Sequence, residues 1–324
     1  MEEHSIGREP LQMASLRQAI DGEMSKIIIG QKEVVDQVLI CLLCRGNILL
    51  EGVPGTAKTL MVRILARIIH GDFKRIQFTP DLMPSDITGN NVFDLKSNQF
   101  YFSRGPIFTD FLLADEINRA PAKTQAALLE AMEEKKVSID GTSYPLSPFF
   151  TVFATQNPIE FEGTYPLPEA QLDRFFFKIK IDYPDLESES AILMKYHQGF
   201  RPDQVETLVS PKIRLEDFEK TREALNRIVV EDSLIHYIRD LVRATRTRAE
   251  FLFGAGPRAS IALLLAAKGK ALLSGRTFVT PDDIQSMVYP VLRHRLVLGP
   301  EVELEGASVE DLLGRILQTI EVPR

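Results

Sequence analysis

Short apolar runs alternate with helix-like stretches through the first half of the chain. Helical periodicity appears at Leu60–Ile69 and again at Pro121–Lys135. Apolar strands separated by helices are typical of a buried parallel sheet with helical crossovers. The runs of strand length are Asn47–Glu51, Arg75–Thr79, Phe111–Asp115, Phe150–Thr155 and Phe176–Ile181. The first half therefore predicts an α/β core.

Two segments interrupt this alternation with the pattern of a hairpin. Residues 89–105 alternate aromatic and polar positions around Lys96–Asn98. Residues 137–148 place Asp140 and Gly141 between two short β-type runs, which is a strong local hairpin signal. We expect both segments to project from the core.

From Asp182 onward the pattern is helical, and no further strand is predicted. Thr280 before Pro281 suits a helix start, because a capping hydroxyl and acids lie at the positive end of the helix. The expected helices are Ser188–His197, Ser233–Thr247, Arg258–Leu273 and Pro281–Val288. We expect an α/β core over residues 1–184 and an all-α domain over residues 185–324.

Composition narrows the class of protein. With 38 Lys and Arg against 45 Asp and Glu, the net charge of −7 argues against binding nucleic acid or anionic lipid through an overall positive field. The N-terminus, MEEHSIGREP, lacks the basic and apolar pattern of a signal peptide. No apolar run approaches the roughly 18–20 residues that span a bilayer, and two cysteines predict no disulfide framework. We therefore expect a cytoplasmic protein.

Residues 52–59 read GVPGTAKT, directly after the first strand and before a helix. Such a loop wraps phosphates with backbone N–H groups, while a lysine reaches their oxygens and a hydroxyl binds Mg²⁺. Gly52 and Gly55 would form the turns, with Lys58 as the ammonium group and Thr59 as the metal ligand. Ala57 replaces the usual second glycine, and its methyl group is tolerable if the residue has helical backbone angles, as we expect from its place at the helix start. The alternative is a Gly/Pro turn that happens to precede Lys-Thr.

Asp115 and Glu116 follow the third strand. Ligands of an open parallel sheet bind at the carboxyl ends of its strands, so we expect Thr59 and Asp115 to converge from neighbouring strand edges. A nucleoside triphosphatase needs an acid on its metal and a base for the attacking water, which predicts these roles for Asp115 and Glu116. The alternative is an Asp-Glu pair that only ends a strand and faces water.

Three more residues are candidates for phosphate chemistry. Asn157 ends the fourth strand and would orient the attacking water, unless it is a simple turn asparagine before proline. Negative charge that develops on a transferred phosphoryl group needs fixed cations. Arg174, just before the fifth strand, and Arg258, at a helix start, are candidates, and a surface salt bridge is the alternative for each.

In this order and spacing, GVPGTAKT, LLADE, ATQNP, LDRF and GPR resemble an AAA+ ATPase, most closely the MoxR branch of the helix-2-insert clade. The resemblance covers most of residues 25–183 and continues more weakly beyond them. It implies a three-layer P-loop AAA+ core with a parallel sheet, followed by an all-α lid domain. The segments 89–105 and 137–148 would be the helix-2 and pre-sensor-1 inserts.

The resemblance also implies roles for single residues. The Walker A and Walker B residues would be Lys58, Thr59, Asp115 and Glu116. Asn157 would be sensor 1, Arg258 sensor 2, and Arg174 an arginine finger that reaches a neighbouring subunit's nucleotide, while Arg119 would face a subunit boundary. The implied nucleotide-binding residues are Ile29, Gly30, Gly52, Val53, Pro54, Gly55, Thr56, Ala57, Lys58, Thr59 and Leu60.

The function implied by the resemblance is hydrolysis of ATP with Mg²⁺ in a homo-hexameric ring. Such a protein would act as a chaperone-like remodeller that matures or activates a protein complex, often with a von Willebrand factor A domain protein as partner. The alternative is a nucleic-acid-stimulated AAA+ motor, since the inserts of related proteins grip DNA, but the acidic balance argues against it. A nucleotide-gated scaffold is a third reading, less consistent with the presence of both Asp115 and Glu116.

Overall fold

A parallel sheet of five strands forms the centre of the first half of the chain. The computed structural model describes residues 8–53, 55–157, 165–201 and 204–323. The strands in these ranges are β1 (Ile48–Gly52), β2 (Phe73–Gln77), β3 (Gly89–Asp94), β4 (Gln99–Arg104), β5 (Phe111–Asp115), β6 (Lys136–Ile139), β7 (Thr142–Pro145), β8 (Thr151–Gln156), β9 (Phe177–Ile181), β10 (Phe251–Phe253) and β11 (Val297–Leu298). The sheet has the order β2-β5-β8-β1-β9, with every neighbouring pair parallel. The five predicted strands are therefore confirmed, with small shifts at their ends.

The helices in the described ranges are α1 (Arg8–Met24), α2 (Lys32–Leu43), α3 (Lys58–Ile68), α4 (Pro84–Thr88), α5 (Ala122–Glu134), α6 (Glu169–Leu172), α7 (Leu186–His197), α8 (Val205–Leu208), α9 (Leu215–Glu223), α10 (Asp232–Thr247), α11 (Pro257–Leu273), α12 (Pro281–Leu292), α13 (Pro300–Leu304) and α14 (Val309–Thr319). The apolar pattern did not predict α1, which packs on α3, α9 and α11. The predicted end of α12 at Val288 is wrong, because the helix continues through Pro290 to Leu292. Among the described residues, no helix has both the length and the apolar character that crossing a membrane requires.

The side chains of β1 alternate between two buried clusters, one on each face of the sheet. Ile48 and Leu50 join the cluster that contains side chains of α2 and α3, whereas Leu49 joins the cluster that contains side chains of α5. Successive residues of a strand point to opposite faces, so a sheet covered on both faces needs continuous apolar strands. This arrangement is the predicted three-layer core.

Both interrupting segments are antiparallel hairpins in the structure. β3 pairs with β4, and β6 pairs with β7. The rings of Phe102 and Tyr144 stack with their centroids 4.2 Å apart, and the Asn91 side chain donates a hydrogen bond of 2.6 Å to Asp140. The two hairpins therefore lie side by side.

The second half of the chain is a helical lid, but it is not entirely helical. The expectation that no strand follows Asp182 is wrong, because β10 and β11 form a short antiparallel pair. Strands of three and two residues are too short to show the alternation on which strand prediction depends. The division of the chain between residues 184 and 185 stays a prediction.

Candidate active site

The loop between β1 and α3 contains the residues predicted to wrap phosphates. Gly52 packs against β9, where a Cβ atom would lie 2.4 Å from the Ile181 carbonyl oxygen. Gly55 has a φ of +87°, a left-handed angle that favours glycine. Pro54, an expected nucleotide-binding residue, lies outside the described residues. Glycine therefore allows close packing on β9 at Gly52 and a left-handed backbone turn at Gly55.

The expectation of helical backbone angles at Ala57 is wrong. Its φ of 58° and ψ of 22° are left-handed, and it directly precedes α3. A left-handed conformation costs an L-residue about 1–2 kcal/mol, because Cβ comes too close to the following carbonyl oxygen. A glycine at this position of the general motif avoids that cost.

The ammonium group of Lys58 points back into the loop. Its Nζ donates to the carbonyl oxygens of Gly52 and Val53, the latter at 3.3 Å. Burial lowers the pKa of Lys58, while the negative charges of Asp115 and Glu116 act in the opposite direction. The ammonium group is therefore within electrostatic reach of both acids.

One cavity of about 400 Å³ lies at the carboxyl edge of the sheet, and the loop and the acids line it together. The lining residues are Gly55, Thr56, Ala57, Lys58, Thr59, Leu60, Asp115, Glu116, Thr155, Gln156, Asn157 and Tyr196. Gly52 and Val53 are not among them. The expectation that Thr59 and Asp115 lie at neighbouring strand edges is wrong, because β8, which ends just before Asn157, separates β1 from β5. The side chains nevertheless reach the same cavity.

Asp115 is held from two sides. The hydroxyl of Thr155, on β8, donates to its Oδ1 at 2.6 Å. Arg75, on β2, donates to its Oδ2 from Nε at 3.0 Å and from Nη2 at 2.6 Å. A carboxylate has about four lone-pair positions, so these hydrogen bonds leave room for roughly one more donor. These hydrogen bonds therefore fix the orientation of the Asp115 carboxylate and leave it able to accept about one more hydrogen bond.

Glu116 follows with a left-handed φ of 57°. Its backbone N–H donates to the Thr155 hydroxyl oxygen at 2.8 Å, so that this hydroxyl joins both acids. Its Oε2 accepts a hydrogen bond of 2.7 Å from Gln77 and lies 3.0 Å from Nε of Arg119. Arg119 thus forms an ion pair with Glu116 of its own chain.

Arg174 and Arg258 do not line the cavity of the phosphate loop. They line another cavity, together with Asn47, at the amino end of β1. The backbone N–H of Phe176 donates to the Asn47 carbonyl oxygen at 2.8 Å, which places the Arg174 segment beside the start of β1. β1 has five residues and is about 16 Å long. The two arginines and the phosphate loop therefore lie at opposite ends of one strand.

Arg174 and Arg258 share the carboxylate of Glu133, on α5. Glu133 Oε2 lies 3.1 Å from Arg174 Nη1, and its Oε1 lies 3.2 Å from Arg258 Nη2. The Arg174 guanidinium also donates to the Leu129 carbonyl oxygen at 2.9 Å. The Arg258 side chain is 66% exposed, and exposed ion pairs contribute only about 0–1 kcal/mol. Such pairs can be exchanged for another anion at little cost.

Comparison with known proteins identifies the family of this chain. The model of the ATPase family associated with various cellular activities (AAA) matches residues 47–177, and the AAA lid domain model matches residues 243–316. Chaperone MoxR1 of Mycobacterium tuberculosis is 45% identical over 93% of this chain and 81% of its own. Protein MoxR of Paracoccus denitrificans is 30% identical over 94% of this chain and 95% of its own. The chain belongs to the MoxR family of AAA+ ATPases.

Two further similarities cover almost the whole chain. YeaC of Bacillus subtilis is 45% identical over 93% of this MoxR-family protein and 92% of its own length. A crystal structure from Cytophaga hutchinsonii is 41% identical, covers 100% of both chains and has a TM-score of 0.91. The core and the lid described above are thus those of an AAA+ protein of this family.

The segment around Ile29 and Gly30, which the MoxR resemblance implies to bind the nucleotide, lies beside the phosphate loop. Gln31 donates a hydrogen bond of 3.1 Å to the Thr56 carbonyl oxygen. Ile29 and Gly30 line a cavity of about 620 Å³ between α1 and α2, not the cavity of the acids. The structure therefore joins this segment to the loop through Gln31.

Sequence reasoning missed four residues that shape the site: Arg75, Gln77, Thr155 and Tyr196. A signal for two of them exists, because Arg75 and Gln77 flank the buried Ile76 and so point to the same face of β2. Gln77 is also the register partner of Asp115. Tyr196 comes from α7, and no local pattern in the sequence relates that helix to the loop.

We expect that Thr155→Val lowers the free energy of unfolding of this MoxR-family protein by about 2 kcal/mol or more. Valine fills the same space but leaves the Glu116 N–H and one oxygen of Asp115 without their partner. Thr155 is 1% exposed, so water does not readily replace the hydroxyl. Chemical denaturation followed by circular dichroism measures the change.

Thr155→Ser is the matched control. It keeps the hydroxyl and removes one methyl group, which should cost only about 0.8 kcal/mol. A valine variant at least as stable as the serine variant would show that the hydroxyl does not stabilise the site.

Proposed function

We propose that this protein is a Mg²⁺-dependent ATPase that acts as a chaperone-like remodeller of a protein complex, with active sites shared between the subunits of a homo-hexameric ring. The observation that carries the proposal is the single cavity lined by Lys58, Thr59, Asp115, Glu116 and Asn157. Membership in an AAA+ family supports ATP as the nucleotide.

The phosphates of ATP would lie against the loop. Its backbone N–H groups and the positive end of α3 favour negative charge at this place. The Lys58 ammonium group would exchange its loop carbonyl contacts for the β- and γ-phosphate oxygens. Ile29 and Gly30, joined to the loop through Gln31, would lie nearer the base.

The residues present fit Mg²⁺. A threonine hydroxyl and a carboxylate are oxygen ligands of the kind that Mg²⁺ prefers, and Thr59 and Asp115 line the same cavity. The remaining acceptor capacity of Asp115 suits a metal-bound water, since Mg²⁺ usually keeps several of its waters. When bound, the ion would neutralise charge on the phosphate oxygens.

Glu116 would act as general base by accepting a proton from the attacking water. Gln77 and Arg119 hold its carboxylate at 2.7 and 3.0 Å, which limits its side-chain rotation. Asn157 is buried at the carboxyl edge of the sheet and would orient the water.

The site would be completed by a second copy of the chain. Arg174 and Arg258 lie about one strand length from the phosphate loop of their own subunit, so they would reach the phosphates of a neighbour. A head-to-tail contact of this kind closes into a ring when its rotation allows closure. Both arginines would then leave Glu133 to stabilise charge on the neighbour's phosphates.

We expect Lys58→Ala to weaken ATP binding by about tenfold or more, since it removes the cation that contacts the phosphates. Glu116→Gln should bind ATP normally and hydrolyse it about a hundredfold more slowly or worse, because an amide cannot act as the base. Isothermal titration measures binding, and phosphate release measures turnover. Glu216→Gln, which alters an exposed glutamate of α9, is the matched control. Wild-type turnover by the Glu116→Gln variant would exclude Glu116 as the base.

Shared sites predict complementation between two inactive variants. Arg174→Ala should reduce turnover by about a thousandfold, as loss of an arginine finger does. Random mixing with Lys58→Ala subunits should restore about a quarter of the sites, namely those with an intact loop facing an intact arginine. Arg258→Ala should behave in the same way, because the structure places it beside Arg174.

A second mixture controls for subunit exchange itself. Lys58→Ala mixed with Glu116→Gln should stay inactive, since both changes lie in the same cavity and every site keeps one of them. No recovery in the arginine mixture, in rings shown by native mass spectrometry to contain both variants, would contradict the shared site.

The proposed work of the ATPase cycle is remodelling of a protein client. Support comes from the family and from the relative named Chaperone MoxR1. The class of partner that the resemblance implies is a protein with a von Willebrand factor A domain. ATP-bound protein that cannot hydrolyse should hold such a client.

We expect Glu116→Gln protein with ATP to retain a von Willebrand factor A domain protein from a lysate of its source, because turnover is needed for release. Lys58→Ala protein, at an ATP concentration where titration shows it to be largely unbound, is the matched bait. Quantitative mass spectrometry compares the two eluates. Equal recovery of all proteins on both baits would contradict a nucleotide-dependent client.

A further inference from the structure

A side chain of the lid forms hydrogen bonds with the segment that contains Arg174. Arg295 follows α12, and its side chain is only 5% exposed. Its guanidinium donates to Asp173 Oδ1 at 2.7 Å, to the Phe175 carbonyl oxygen at 2.7 Å and to the Phe176 carbonyl oxygen at 3.2 Å. One buried lid side chain thus contacts the residues on both sides of Arg174.

His294 adds a second contact from the same place in the lid. Its Nε2 lies 2.9 Å from the Phe175 carbonyl oxygen, which can only accept, so the ring donates. Burial lowers the pKa of His294 well below its usual value, which keeps the ring neutral. The Phe175 side chain is fully buried, so this carbonyl has little freedom to move away from either donor.

The geometry of these contacts requires the planar guanidinium group of an arginine. Three acceptors, on Asp173, Phe175 and Phe176, match a guanidinium with five N–H donors, and a lysine ammonium cannot reach them at once. A buried charge is retained only with complete pairing, since its desolvation is costly. Displacing the lid from the segment would therefore break all of these hydrogen bonds together.

We infer that Arg295 is a positioning residue that makes the placement of Arg174 depend on the position of the lid of its own subunit. The inference rests on the proposed function, in which Arg174 acts on the neighbour's nucleotide. A change of lid position in one subunit then alters the arginine presented to the next subunit. Arg258 is itself on lid helix α11, so the same change of lid position would alter its distance from Glu133 on α5.

The test uses the two variant chains of the complementation mixture, because each chain supplies a different half of the proposed active site. Lys58→Ala subunits donate only the arginines, and Arg174→Ala subunits donate only the nucleotide cavity. Adding Arg295→Lys to the arginine-donating chain should reduce recovered ATP turnover by about tenfold, as small misplacements of a catalytic group do. Adding it to the cavity-donating chain should leave turnover within about twofold.

Arg293→Lys is the matched control. Arg293 lies two residues away at the end of the same helix, but it contacts Glu310 at 3.5 Å instead of the Arg174 segment. We expect Arg293→Lys to leave the ATP turnover of the mixture unchanged, whichever of the two chains contains it. Equal loss from Arg295→Lys in both chains, or loss in neither, would overturn the positioning role.

The outcomes separate the two proposals. A reference mixture without Arg295→Lys that fails to recover activity overturns the shared site and the positioning role with it. Recovery that does not depend on where Arg295→Lys is placed overturns only the positioning role. If thermal unfolding shows that Arg295→Lys does not fold, Asp173→Asn replaces it in the same two placements with the same expected asymmetry.

Discussion

The site depends on the parallel pairing of β1, β8 and β5. Because all three strands run in one direction, the phosphate loop, Asn157 and Asp115 emerge at the same edge of the sheet. β8 between the other two strands has a chemical consequence as well as a topological one. It places the Thr155 hydroxyl where it can join Asp115 to the backbone of Glu116. The acids are therefore fixed by the sheet itself and not by a mobile loop.

The same strand direction separates the two halves of the proposed active site. Arg174 and Arg258 lie at the amino edge of the sheet, about one strand length from the carboxyl edge of their own chain. In one subunit their charges are met by Glu133 and Asp173, at distances from 3.1 to 4.0 Å. These pairs are partly exposed, so their loss costs little. A phosphate group that approaches from a neighbour would offer a stronger, water-excluded partner.

The fold and the cavity lining were largely predictable, and the supporting contacts were not. Continuous apolar strands indicated a doubly covered sheet, and GVPGTAKT with Asp115 and Glu116 indicated the cavity that they line together. Thr155 and Arg75 act across strands whose order no local pattern reveals. The left-handed angle of Ala57 was missed because a helix start was assumed to impose helical angles on the residue before it. The structure shows which of the predicted site residues line one cavity, and the role of every one of them stays a prediction.

The second half of the chain contacts both parts of the proposed active site. Tyr196, on α7, lines the cavity of the phosphate loop, whereas Arg295 holds the segment of the arginine that would reach the next subunit. The buried side chains of α10, α11 and α12 belong to one apolar cluster that also contains side chains of β1, α2 and α3, and a close-packed cluster resists deformation. In the proposed ring, a displacement of the lid would be passed through this cluster and through Arg295 to the arginine that reaches the next subunit. Successive sites would then be mechanically connected through the packing of the lid on the core.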